Sequence, residues 1–116
     1  MYSLTSANRY SLYQDFVRMN LGIDGLFKII RSQMKELSPI SGDIFLFFGK
    51  NRQSVKILRW DGDGFLLYYK RLEGGSFELP TFNPNTGNYE ISYQVLSFIL
   101  NGVSLKSVRL RKRFRI

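Results

Sequence analysis

Apolar residues along this chain recur at two different spacings, and the changes between them divide it into elements. Arg9 to Gln14 is aromatic-rich and partly alternating, with Tyr10 and Leu12 on one side, which predicts a strand. From Leu21 to Leu37 the apolar positions Ile23, Leu26, Phe27, Ile30, Met34 and Leu37 fall at helical spacing. Lys28, Arg31, Lys35 and Glu36 take the opposite side, so the segment predicts an amphipathic helix. Ser38-Pro39 closes it, because proline cannot continue the hydrogen-bond ladder.

Three strand patterns follow. Asp43 to Phe48 is apolar on both faces, as a central strand would be. Ser54 to Trp60 alternates Val55, Ile57 and Arg59 against Lys56, Leu58 and Trp60. Phe65 to Leu72 sets Phe65, Leu67 and Tyr69 against Leu66, Tyr68 and Lys70. Short polar turns at Gly49-Lys50-Asn51-Arg52 and Asp61-Gly62-Asp63-Gly64 join them, which predicts an antiparallel meander. Gly74-Gly75 predicts a turn into a fourth strand, Ser76 to Leu79, ended by Pro80. Phe82 to Glu90 reads as a loop. A second helix is expected from Ser92, with Val95, Leu96, Ile99 and Leu100 on one face and Asn101-Gly102 at its end. The expected class is α+β: an antiparallel meander with two helices packed on one face, over residues 1–105, and a basic strand or arm over 106–116.

Composition changes this picture mainly through charge. The chain has 116 residues, enough for one core, and no cysteine, so a cytoplasmic protein without disulfides or thiolate metal sites is expected. No apolar run reaches the roughly 18 residues of a membrane span, and Met1 to Asn8 lacks the features of a signal peptide. The net charge is +8 and the pI about 10.0, which favours a polyanionic partner, nucleic acid before an anionic membrane. Histidine is absent, which removes the commonest general base and weakens any enzymatic reading.

The basic excess is concentrated at the C-terminus and has a pattern. Arg109, Arg111, Arg113 and Arg115 alternate with Val108, Leu110, Lys112, Phe114 and Ile116. In an extended chain the four arginines share one side, spaced by about 6.6 Å. That row could follow nucleic-acid phosphates while the apolar side docks on the body. Four or five such contacts would give a log–log salt slope of roughly −4. The competing reading is a like-charged edge that only opposes aggregation. Lys56, Arg59, Lys70 and Arg71, beside Trp60, Tyr68 and Tyr69 on the meander, are secondary candidates for nucleic-acid contact. For the aromatics, packing in the sheet core is the stronger alternative.

No catalytic constellation emerges. Asp61-Gly62-Asp63-Gly64 resembles the start of a calcium loop, but Phe65 and Leu72 occupy ligand positions, leaving a hairpin turn. Asp24, Asp43, Asp61 and Asp63 each have a local explanation, and no spacing forces them together around a metal. Neither a phosphate-binding glycine loop nor a nucleophile elbow is present. No cofactor, metal or catalytic residue is therefore expected.

The order of motifs is more specific than any single one. Arg9-Tyr10…Leu12-Tyr13, Met19…Gly22-Ile23-Asp24-Gly25-Leu26 and Ser41-Gly42-Asp43-Ile44-Phe45 come first. They are followed by Val55-Lys56-Ile57-Leu58-Arg59-Trp60-Asp61-Gly62-Asp63-Gly64-Phe65 and Tyr69-Lys70-Arg71-Leu72-Glu73. This series resembles the small accessory protein of insertion-sequence family 66 (TnpB type, product of the second open reading frame). The likeness covers Arg9 to Phe77 and resumes from Leu96 to Arg113. The family commonly has Asp-Met-Arg-Lys before Gly-x-Asp-Gly-Leu, where this chain carries Arg18-Met19-Asn20-Leu21.

The resemblance implies a non-catalytic part in transposition, beside a separate transposase. Two binding roles remain open: a DNA-associated factor that helps assemble the transposase–DNA complex, or a protein module that docks on the transposase without touching DNA. A metal-dependent nuclease is the third and least supported. The sequence leaves the oligomeric state open.

Overall fold

The computed structural model describes residues 8–79, 90–91 and 93–100. The first strand, β1, is Tyr10–Phe16, and the helix α1 spans Ile23–Gln33. The strands β2 (Ile44–Phe48), β3 (Ser54–Trp60) and β4 (Phe65–Arg71) follow, then a short β5 (Glu90–Ile91) and the helix α2 (Tyr93–Leu100). They form one five-stranded sheet in the order β4-β3-β2-β1-β5.

The meander of β2, β3 and β4 is antiparallel as expected. The expectation of a wholly antiparallel sheet is corrected by β1, which lies parallel to β2, with Tyr10 level with Ile44 and Leu12 with Leu46. The reason is the helix between them: parallel neighbours need a crossover of a dozen or more residues, and α1 with its flanking loops supplies it. The pairing shifts register between Leu12 and Phe16, then resumes with Phe16 level with Phe48.

The helices do not share a face. Alternate side chains of β2 point to opposite sides and build two cores. On one side Phe45, Phe47 and Leu58 pack with Leu26 and Ile30 of α1. On the other, Ile44, Leu46, Phe48, Val55 and Ile57 pack with Leu96 and Ile99 of α2. The molecule therefore has three layers, helix–sheet–helix, and the one-face expectation is corrected. All five residues of β2 are buried, which only a sheet covered on both sides allows.

Other details also differ. The helix expected to reach Leu37 ends at Gln33; Met34 leaves helical geometry and Leu37 N–H donates to its carbonyl, while both side chains stay against the core. Ser76–Leu79 is not a strand. Its Phe77 N–H donates to the Arg52 carbonyl, and its ring packs edge-on against Phe48 at 5.5 Å. Glu90, expected in a loop, is instead paired with Ser11 in β5. The basic segment 106–116 lies outside the described residues. Among the described residues, no helix is long and apolar enough to cross a membrane.

Candidate nucleic-acid interface

The register places the four cations predicted on the meander. Lys56 is level with Phe47 and Tyr69, and Arg71 with Ser54, so both belong to the α1 side. Arg59 is level with Ile44 and Leu66, and Lys70 with Val55, so these two belong to the α2 side. Arg59 also sits far from the others along the strand. Its level and that of Arg71 are five steps apart along β3, about 17 Å at strand rise. The sheet therefore does not gather these residues into one patch.

Each of the four has an interaction partner. The Lys56 ammonium donates to the Leu21 carbonyl at 2.6 Å and lies 5.6 Å from the Tyr69 ring centroid. It ties the loop ahead of α1 to the sheet and is half-buried. The Arg71 guanidinium pairs with Glu73 at 3.1 Å, both side chains well exposed. Such a pair is worth little and exchanges readily with another anion.

The predicted aromatic platform is likewise divided. Trp60 is half-buried on the α1 side, edge-on to Phe65 at 5.0 Å. Tyr68 packs against the core on the α2 side. Tyr69 is 53% exposed, and its hydroxyl lies 3.4 Å from that of Ser54.

The parallel crossover brings together a different set. Because β1 and β2 run the same way, the loop after β1 and the turn after β2 emerge at one end of the sheet. Val17 N–H donates to the Phe48 carbonyl at 2.9 Å, joining the two strand ends. Met19 then lies on Gly49, where an added Cβ would come within 3.3 Å of the Met19 Cγ. Arg18, between these two anchors, is thereby held beside the turn that carries Lys50 and Arg52. All three are exposed. Among the described residues, none of the three pairs with a carboxylate.

The turn itself is tightly bonded. Gly49 N–H donates to the Ser54 carbonyl, Arg52 N–H to the Gly49 carbonyl, and Gln53 N–H to Asn51 Oδ1. Arg52 has φ 61°, in the left-handed region where a residue with a Cβ costs about 1–2 kcal/mol. Glycine would occupy this backbone more easily. The guanidinium lies 5.9 Å from the ring centroid of Phe16, the last residue of β1, which is 44% exposed. Arg18, Lys50 and Arg52 were not singled out from the sequence. Their basic character was visible, but only parallel pairing of β1 and β2 makes them neighbours.

The opposite end of the sheet is arranged otherwise. Arg9 pairs with Asp43 at 2.6 Å, and Asp43 N–H donates to Ser41 Oγ, so this acid is engaged locally. Asp61 and Asp63 shape the turn between β3 and β4, where Asp61 N–H donates to the Gly64 carbonyl. Asp24 lies in the first turn of α1, at the other end of the sheet from these three. Among the described residues, no three metal-ligating side chains gather. Tyr13, packed against Phe47 at 5.8 Å, has its pKa raised by burial and by the nearby Asp15 charge.

Comparison of the sequence with known proteins gives a family assignment. The chain is 33% identical over 85 residues to uncharacterized protein y4hO of Sinorhizobium fredii (strain NBRC 101917 / NGR234), covering 73% of this chain and 71% of that protein. It is 31% identical over 88 residues to uncharacterized protein y4jC of the same organism, covering 76% and 73%. No solved structure matches it. The family model described as IS66 Orf2 like protein matches residues 8–110, which include every described residue, and the chain belongs to that family of transposable-element accessory proteins.

Proposed function

We propose that this protein is a DNA-associated, non-catalytic accessory factor that helps assemble the transposase–DNA complex by holding phosphates. The observation that carries this reading is the sheet end where Arg18, Lys50 and Arg52 stand exposed on two loops fastened to each other. Guanidinium and ammonium groups fixed on short, hydrogen-bonded loops can meet a polyanion with little ordering cost. Lys70 and Arg71 finish β4 at the same end of the sheet, one on each face. The row of Arg109, Arg111, Arg113 and Arg115, with Lys112, would extend the contact along the backbone of the duplex. A surface of this kind holds and orients DNA and carries no sequence preference of its own.

The test is a salt titration of binding to element-end duplex and to random duplex. The expected result is binding to both, with an affinity that falls steeply as salt rises. Changing the four C-terminal arginines to glutamine should flatten the log–log slope by roughly 4. Unchanged affinity and slope in that variant would remove the C-terminal row from the interface. Failure of the wild-type protein to bind any duplex at low salt, together with nuclease-resistant capture by purified transposase, would establish the protein-docking role instead.

A further inference from the structure

We infer that the end of the sheet carrying Phe16 and Arg52 is a binding site for single-stranded DNA, with Phe16 as a base-stacking platform. This rests on the phosphate-binding reading above and assigns that site a strand preference.

Three features of the rim point the same way. Phe16 closes β1 with 44% of its surface exposed, although the other aromatic residues of the neighbouring strand β2 are fully buried. Arg52 lies over that ring at 5.9 Å, from a backbone conformation that favours glycine. Both backbone polar groups of Arg52 are bonded, to Gly49 and Phe77, so the turn needs nothing from the side chain. These bonds hold the turn, and from it the side chain reaches over the ring. Third, Arg18 and Lys50 are each two residues from one member of the stacked pair, and both are exposed. They flank an aromatic and guanidinium surface with charges free to take phosphates.

That combination suits an unpaired nucleotide better than a duplex. A stacked base presents its flat face only when it has left the double helix. Aromatic rings and guanidinium planes then receive it without regard to base identity, while neighbouring cations hold the backbone. A duplex would use the cations and leave Phe16 idle. The chemistry therefore predicts a preference for strands that are open, as at an end being processed.

Two substitutions separate stacking from charge and from folding. Phe16→Leu removes the ring and keeps the charge and apolar bulk. Arg52→Gly removes the guanidinium at a site whose backbone suits glycine. Both should melt near the wild-type temperature. Fluorescence anisotropy with labelled oligothymidylate and with a random duplex of equal length is measured at one fixed salt concentration. The wild type should bind the single strand more tightly. Phe16→Leu should lose about tenfold in single-strand affinity and leave duplex affinity unchanged, and Phe16→Tyr should restore it. Arg52→Gly should weaken both, the single strand more. Equal wild-type affinity for the two forms, or a Phe16→Leu protein that binds oligothymidylate as the wild type does, would overturn the stacking site while leaving phosphate binding intact. Absence of binding to either form would overturn both.

Discussion

The two ends of the sheet are built from similar residue types and end up with opposite characters. At the end where β1 and β2 begin, Arg9 is engaged by Asp43 and the neighbouring turn is made by Asp61 and Asp63. At the end where they finish, Arg18, Lys50 and Arg52 are exposed on loops held by Val17, Met19 and Gly49. Charge at the first end closes the structure; charge at the second faces outward. A basic protein is therefore better described by where its cations lack carboxylate partners than by its net charge. The nearby acids Asp15, Asp24 and Glu73 moderate the second end, and Glu73 pairs with Arg71.

The strongest way to break this contrast is to neutralise the open end. The combined change of Arg18, Lys50 and Arg52 to glutamine should make the log–log salt slope of duplex binding shallower by about 2–3. The corresponding removal of charge from Arg31 and Lys35, near the C-terminal end of α1, should leave the slope nearly as it was. Equal losses per charge removed from the two sets would mean that only net charge matters.

At the closed end the expected effect is on stability. Asp43→Ala leaves Arg9 without its carboxylate and should lower unfolding free energy by about 1–2 kcal/mol in denaturant titration, with duplex affinity unchanged. The pair is only partly buried, which keeps the figure from being larger. A smaller effect is expected where the sheet fastens the open end: Lys56→Met frees the Leu21 carbonyl and should cost about 1 kcal/mol. If Lys56 instead contacts DNA, this variant will lose affinity and keep its melting temperature.

The smallest effect concerns Tyr13, whose pKa is raised from 10.0 by burial and by Asp15. The folded protein holds the neutral phenol, while the unfolded chain ionises first. Stability from this group is present below pH 10.0 and falls as the pH rises above it. Tyr13→Phe should make the alkaline limb of the stability profile less steep. An unaltered limb would mean that other tyrosines dominate it.

Much of the architecture was legible along the chain because local periodicity reports which side of an element is covered. The helical spacing of Leu26 and Ile30, the alternation through β3 and the short turns on either side of it all appear as read. Even the unbroken apolar run Ile44–Phe48 carried the information that both faces of the sheet are covered. It conflicted with placing both helices on one face, and the covered strand was the better guide.

Family membership, charge and the absence of histidine and cysteine were thus determined by the sequence alone, since they depend on residue identity and order. Which residues become neighbours was decided by the tertiary structure. Strand direction depends on how α1 crosses the sheet, a long-range choice that no local spacing records. The register of the β3–β4 hairpin separates Arg59 from Arg71, while that choice of direction sets Arg18 beside Lys50 and Arg52, although the latter pair lies more than thirty positions downstream. A loop gains its electrostatic surroundings from the strands that end beside it, and those are known only once the sheet is assembled.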